Sequence, residues 1–234
     1  MRSSVLFALA AAFIFVSCGY GSLQTAKTIP EGTVRLVIGE HYLGSTVRPL
    51  SFYSFPGDIG VRVGLHERVD LGISSFYLGG LLVDAKVNAM PPDHPFALSF
   101  SLGFAGAVDP FLPESWLLHA PLHVHASYTF LECLTPYAMF GYDTYWIFGR
   151  SKPNFGEDTG DPEAARAGYG DGVLRVTGGI EWQVTDLVGL YLEYSYHHPV
   201  LSDPGDRFAF FPYHTAGIGI SFTFGEHDPP DNKN

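Results

Sequence analysis

The sequence predicts an all-β fold: a closed antiparallel barrel of about ten strands, with eight as the alternative, that crosses a lipid bilayer. Three observations carry this. Between residues 33 and 224, stretches in which large apolar side chains alternate with small or polar ones recur. They are roughly the 9–11 residues long that a tilted strand needs to cross hydrocarbon. The links between them are mostly short and long by turns, and the face opposite the bulky one is built from Gly, Ala, Ser and Thr with about one charge per stretch.

The first stretch, residues 33–42, sets Val34, Leu36 and Ile38 against Arg35, Val37 and Gly39. The second, 59–66, sets Ile59, Val61, Val63 and Leu65 against Gly60, Arg62 and Gly64. After the tight link HERVD come Val69, Leu71 and Ile73, opposed by Asp70, Gly72 and Ser74. The fourth has Leu81, Val83, Ala85 and Val87 against Leu82, Asp84 and Lys86. The fifth is the most regular: Phe96, Leu98, Phe100, Leu102 and Phe104 face one way, and Ala97, Ser99, Ser101, Gly103 and Ala105 the other.

The sixth alternates Leu118, Ala120, Leu122, Val124, Ala126 and Tyr128 with His119, Pro121, His123, His125, Ser127 and Thr129. The seventh, 137–148, is so aromatic that its alternation does not assign its faces. The eighth sets Leu174, Val176, Ile180 and Trp182 against Arg175, Thr177, Gly179, Glu181 and Gln183. The ninth sets Leu190, Leu192, Tyr194 and Tyr196 against Tyr191, Glu193 and Ser195, and the last sets Ile218, Ile220, Phe222 and Phe224 against Gly217, Gly219, Ser221 and Thr223.

Ahead of these strands stands a leader. Residues 1–17 carry Arg2, then an apolar run too short to span a bilayer comfortably, then small residues, as a secretory signal does. The end of this run, Phe-Val-Ser-Cys, resembles a bacterial lipobox that would make Cys18 the lipidated first residue; Phe15 departs from the usual Leu, and ordinary cleavage is the alternative. Residues 18–31 read as an extended periplasmic tether, 32–224 as the barrel and 225–234 as an acidic tail. With Cys18 acylated, Cys133 is a free thiol.

Charge and composition narrow the surroundings. Charged residues make up 16% of the chain and aromatics 15%, and the net charge of −11 excludes a nucleic-acid partner, which requires a basic face. A soluble barrel turns a charged face to water. Here the small-residue face suits a narrow lumen, and its charges balance: Arg35, Arg62, Lys86 and Arg175 against Asp70, Asp84, Glu181 and Glu193. A charge in such a lumen is costly without a partner, so these eight are expected to form a neutralising network.

The passage GLHERVDLGISSFYLGGLLVDAKVNAM resembles the hairpin–strand passage of small bacterial outer-membrane β-barrel proteins, and the final AGIGISFTF is similar to their aromatic-ended last strand. The resemblance implies a bacterial outer-membrane location, surrounding outer-membrane lipid and lipopolysaccharide, and the barrel-assembly machinery as a partner during biogenesis. GEHDPPDNKN beyond Phe224 departs from the pattern and makes the terminal signal internal. The motifs speak for architecture and hardly for activity, because one barrel plan hosts many functions.

Candidate chemistry is sparse. His41, His197, His198 and His214 fall near one rim, but His41 and His197 share one face and His198 and His214 the other, so they are weak metal candidates. A lipid hydrolase would draft His125 and Ser127, and a rim protease His197 with Asp203 and Asp206. Glu157, Asp158, Asp161 and Glu163 lie in a Gly- and Pro-rich loop without the ordered spacing of a calcium site. No cofactor is indicated. The expected role is non-enzymatic, structural or surface-interacting, with a largely plugged lumen; a narrow small-solute channel comes second and an outer-leaflet enzyme third.

Overall fold

The predicted fold class is the observed one. The computed structural model describes residues 23–45, 53–76, 80–108, 115–149, 169–200 and 212–225. Its strands are β1 (Val34–Ser45), β2 (Tyr53–His66), β3 (Val69–Phe76), β4 (Gly80–Asn88), β5 (Phe96–Val108), β6 (Ser115–Tyr128), β7 (Leu134–Gly149), β8 (Tyr169–Gln183), β9 (Val188–Pro199) and β10 (Tyr213–Phe224). Each pairs antiparallel with the next, and β1 closes on β10 from Val34 opposite Phe224 to Ser45 opposite Tyr213. Closure removes every free edge, so the ring meets its own backbone hydrogen-bonding needs.

Several strands run further than the alternation in the sequence, mainly toward the end that carries the long links. β2 begins at Tyr53 and β8 at Tyr169, and β9 continues to Pro199. Alternation marks only the part of a strand whose outer face meets an apolar layer, and beyond that layer the residues carry no such signal. β1 begins and β10 ends at the opposite, short-turn end, where Val34 meets Phe224.

The bulky faces point outward. Leu102 is 63% exposed, Phe104 56% and Leu192 59%, and the same outward row holds Ile73, Val83, Phe140, Val176 and Ile218. Inside lie Ser99, Ser101, Thr177, Ser195 and the charged residues, nearly all buried. This is a soluble protein turned inside out: the apolar surface is left for the surroundings and the polar surface is enclosed. On β7, the strand whose faces the sequence left open, Thr135, Tyr137, Met139, Gly141 and Asp143 are inward and Phe140 is outward. Pro121 sits inward in mid-strand with no backbone N–H to give. The β5–β6 pairing accordingly breaks between Leu102↔Leu122 and Ala105↔His119.

One expectation is overturned. Of the segment read as a periplasmic tether, residues 23–29 lie inside the barrel, and the exposed Pro30 and Glu31 stand at its end. Leu23, Thr25, Ala26 and Ile29 are buried within it. The chain comes down the lumen and reverses in a turn at the short-turn end, where the Thr33 N–H donates to the Pro30 carbonyl at 3.1 Å and Gly32 takes φ +75°. That left-handed φ at the third turn position is glycine's to fill. Gly32 and Thr33 then exchange backbone bonds with Gly64, and the chain leaves upward as β1. The predicted leader (1–17), Cys18 and the tail from 226 onward lie outside the described residues.

A charge placed on the outer face tests this inversion. Leu102→Arg should destabilise the barrel in phospholipid vesicles by about 2–4 kcal/mol, as arginine does near a bilayer midplane, measured by denaturant unfolding. An exposed leucine of a water-soluble barrel would tolerate the same change.

Candidate functional site

The lumen holds the chemistry of this chain, and it is built by period-two alternation: every second residue of each strand faces in. At its centre Arg62 (β2) stands between Asp70 (β3) and Asp84 (β4). Its Nη1 and Nη2 donate to the two oxygens of Asp84 at 3.1 and 2.8 Å, and its Nε and Nη2 donate to Asp70 Oδ1 at 2.9 and 2.5 Å. The planar fork of arginine allows two carboxylates at once, which a lysine cannot reproduce. Gly72 makes room: a Cβ there would lie 3.0 Å from the guanidinium carbon of Arg62.

Lys86 (β4) is 1% exposed, and its ammonium has three donors to place. They reach the carbonyls of Thr25 at 3.1 Å and Lys27 at 2.9 Å, and Asp70 Oδ2 at 3.4 Å. The same Asp70 oxygen accepts the Ile29 N–H at 3.2 Å. The N-terminal segment therefore completes the coordination of the central charges.

Two further clusters use the remaining predicted charges. Arg35 (β1) donates to Glu181 (β8) at 3.4 Å and to the Tyr191 hydroxyl at 3.2 Å, while Tyr191 donates to Glu181 at 2.8 Å. Arg175 (β8) donates to Glu193 Oε1 (β9) at 3.1 Å. Glu193 Oε2 accepts the Tyr137 hydroxyl and the Leu23 N–H, each at 3.0 Å. All eight residues expected in a neutralising network thus stand in ion pairs.

Sequence reasoning missed two carboxylates and the inserted segment. Asp143 (β7) lies on the strand whose faces could not be assigned, yet its Oδ1 is the hub for His119 Nε2 at 3.1 Å and His123 Nε2 at 2.9 Å. His119 also stacks on Tyr145 with ring centroids 4.4 Å apart. Asp58, outside the apolar alternation, pairs with His41 across the β1–β2 bulge. The IPEGT turn was the available signal that the chain reverses before β1.

Of the rim histidines, His41 and His197 face the lumen, whereas His198 and His214 lie on the outer face beside Tyr196 and Tyr194. No three His, Cys, Asp or Glu converge as a metal site among the described residues. His125 meets Ser101 rather than Ser127: the Nε2–Oγ distance is 2.9 Å, and its Nδ1 has no hydrogen-bond partner. Asp203, Asp206 and the acidic loop of Glu157, Asp158, Asp161 and Glu163 lie outside the described residues. Cys133 is a free thiol, half-buried at the short-turn end. Above the inserted segment remains a cavity of about 100 Å³, bordered by Lys86, Ser101, His119, Asp143, Arg175 and His197.

No family model matches the chain, and no curated protein sequence is similar to it. Among solved structures it is similar to the outer membrane protease OmpT of Escherichia coli, at 11% identity over 87% of this chain and 100% of that one, with a TM-score of 0.45. It is similar to the N-terminal β-barrel domain of Pseudomonas aeruginosa OprF, at 11% identity over 84% and 100%, TM-score 0.39. Neisserial surface protein A shows 10% identity over 82% and 96%, TM-score 0.39.

Removing the central guanidinium should leave Asp84 without a cation. Arg62→Leu is expected to lower stability by about 3–5 kcal/mol, the usual cost of breaking a buried pair from one side, and Arg62→Lys should recover only part of it. Heat-modifiability on gels and denaturant unfolding in detergent read both. The strands, their closure and the enclosed ion pairs together describe a ten-stranded antiparallel barrel that is apolar without and polar within.

Proposed function

We propose that this chain is a bacterial outer-membrane barrel with a non-enzymatic, structural or surface-interaction role, surrounded by outer-membrane lipid and lipopolysaccharide and inserted by the barrel-assembly machinery. The observation that carries the reading is the filled lumen. Ten strands enclose somewhat more width than their own side chains take up, and here the chain's own residues 23–30 occupy the difference. On this reading the occupied barrel is closed to solutes, and its long-loop end is the surface that meets partners.

The catalytic alternative has little support in the geometry. The Ser101–His125 pair faces the lumen, away from an acyl chain in the surrounding lipid. A nucleophile–base pair is usually oriented by a third group on the second imidazole nitrogen, and the Nδ1 of His125 has none. Glu181 and Glu193 are engaged by Tyr191, Tyr137 and arginines rather than left to activate water.

The test is electrical. The full chain reconstituted in planar bilayers should give no conductance steps at any holding voltage, and steady steps would overturn the closed-lumen reading. Release of fatty acid from lipopolysaccharide or phospholipid, abolished by His125→Ala or Ser101→Ala, would overturn the non-enzymatic one.

A further inference from the structure

Residues 23–30 are held in the lumen in an unusual way. The hydrogen bonds that tie them to the barrel wall run largely through their backbone: Leu23 N–H to Glu193, Ile29 N–H to Asp70, and the carbonyls of Thr25 and Lys27 to Lys86. The Thr28 hydroxyl adds a bond to the Glu67 carbonyl at 2.8 Å. Each charged wall group that grips the segment also has an ionic partner on the wall itself: Glu193 has Arg175, Asp70 has Arg62, and Lys86 has Asp70. Withdrawing the segment would therefore strip no buried charge of its counter-ion, which is the step that makes such changes costly. The ion pairs of the wall do not depend on its occupant.

What the segment covers is charged. The described inward carboxylates are Asp58, Asp70, Asp84, Asp143, Glu181 and Glu193; four are set against Arg35, Arg62, Lys86 and Arg175, Asp58 is paired with His41, and Asp143 with His119 and His123. The cavity above the segment is bordered by charges of both signs, Asp58, Asp84 and Asp143 with Arg35, Arg62, Lys86 and Arg175. A lumen walled by polar groups and paired charges of both signs is a path for water and small ions once its occupant is gone.

Resting on the closed-lumen reading above, we propose that residues 23–30 are a displaceable plug and that the barrel without them conducts small ions. One wall position separates the plug from the barrel. A Cβ at Gly64 would lie 2.6 Å from the Ile29 carbonyl oxygen and 2.7 Å from the Pro30 carbonyl carbon, closer than real Cβ atoms come. The obstruction is backbone, which cannot rotate aside. Gly64 lies in β2, where a side chain is otherwise ordinary.

Gly64→Val in the full chain should therefore open the lumen. The expected result in planar bilayers is discrete conductance steps absent from the parent. Deletion of residues 23–30 should give the same. Displacement is read separately with Leu23→Cys in a chain whose Cys18 and Cys133 are replaced by serine. A bilayer-impermeant maleimide should leave the thiol introduced at position 23 unmodified until Gly64→Val is added, and the variants' heat-modifiable gel shift confirms that the barrel is folded.

Labelling of the introduced thiol without conductance would overturn the proposal. So would a thiol that stays protected, since a side chain at 64 and the plug cannot share that place. Failure to give a folded barrel would show that the wall depends on its plug, and would overturn it too. Conductance in the parent chain would instead overturn the closed-lumen reading.

Discussion

A charge that faces inward among ten closed strands has no bulk water to lean on, and the rest of this structure follows from that constraint. Arg35, Arg62 and Arg175 are each set against a carboxylate, and Lys86, almost wholly buried, places its three donors on two carbonyls and Asp70. Desolvating these groups is tolerable only with geometry of this quality. Glycines allow it: Gly72, Gly141 and Gly217 lie beneath Arg62, His123 and His41, so large polar side chains lie flat across neighbouring strands instead of colliding with them.

The inserted N-terminal segment answers the same constraint from the other direction. Its amides and carbonyls would be unsatisfied in an apolar interior, and the lone pairs and ammonium protons of the wall that it engages would otherwise be left to water. Each side supplies what the other lacks. A backbone bound through its peptide groups is held with little dependence on its side chains, which sets this occupant apart from the ion pairs that make the wall itself.

Outer and inner surfaces are consequently decoupled. The outer face, with Leu102, Phe104 and Leu192, interacts through area alone. The lumen interacts through direction and charge, and each inward residue depends on named partners. The aromatic–histidine contacts of Tyr194 with His214 and Tyr196 with His198 fall on the outer face, where an amphipathic ring suits the boundary between apolar and wet surroundings.

How much of this was legible in the sequence depends on how local the signal is. The ten strands, their order and the faces of all but the seventh were readable because period-two alternation belongs to each strand by itself, and Phe100, Leu102 and Phe104 face outward whatever β5 pairs with. The eight charges were readable for the same reason: parity puts them inside, and burial then demands partners. Parity says nothing about who partners whom. Asp143 as the hub of two histidines, His125 on Ser101 rather than Ser127, and Asp58 on His41 depend on register between strands, which only closure of the ring decides. The insertion of residues 23–30 was the least legible of all, because a segment without periodicity looks the same outside a barrel as within one. Only the space left over between ten strands, and the unmet hydrogen-bonding groups lining it, determine that the segment belongs inside.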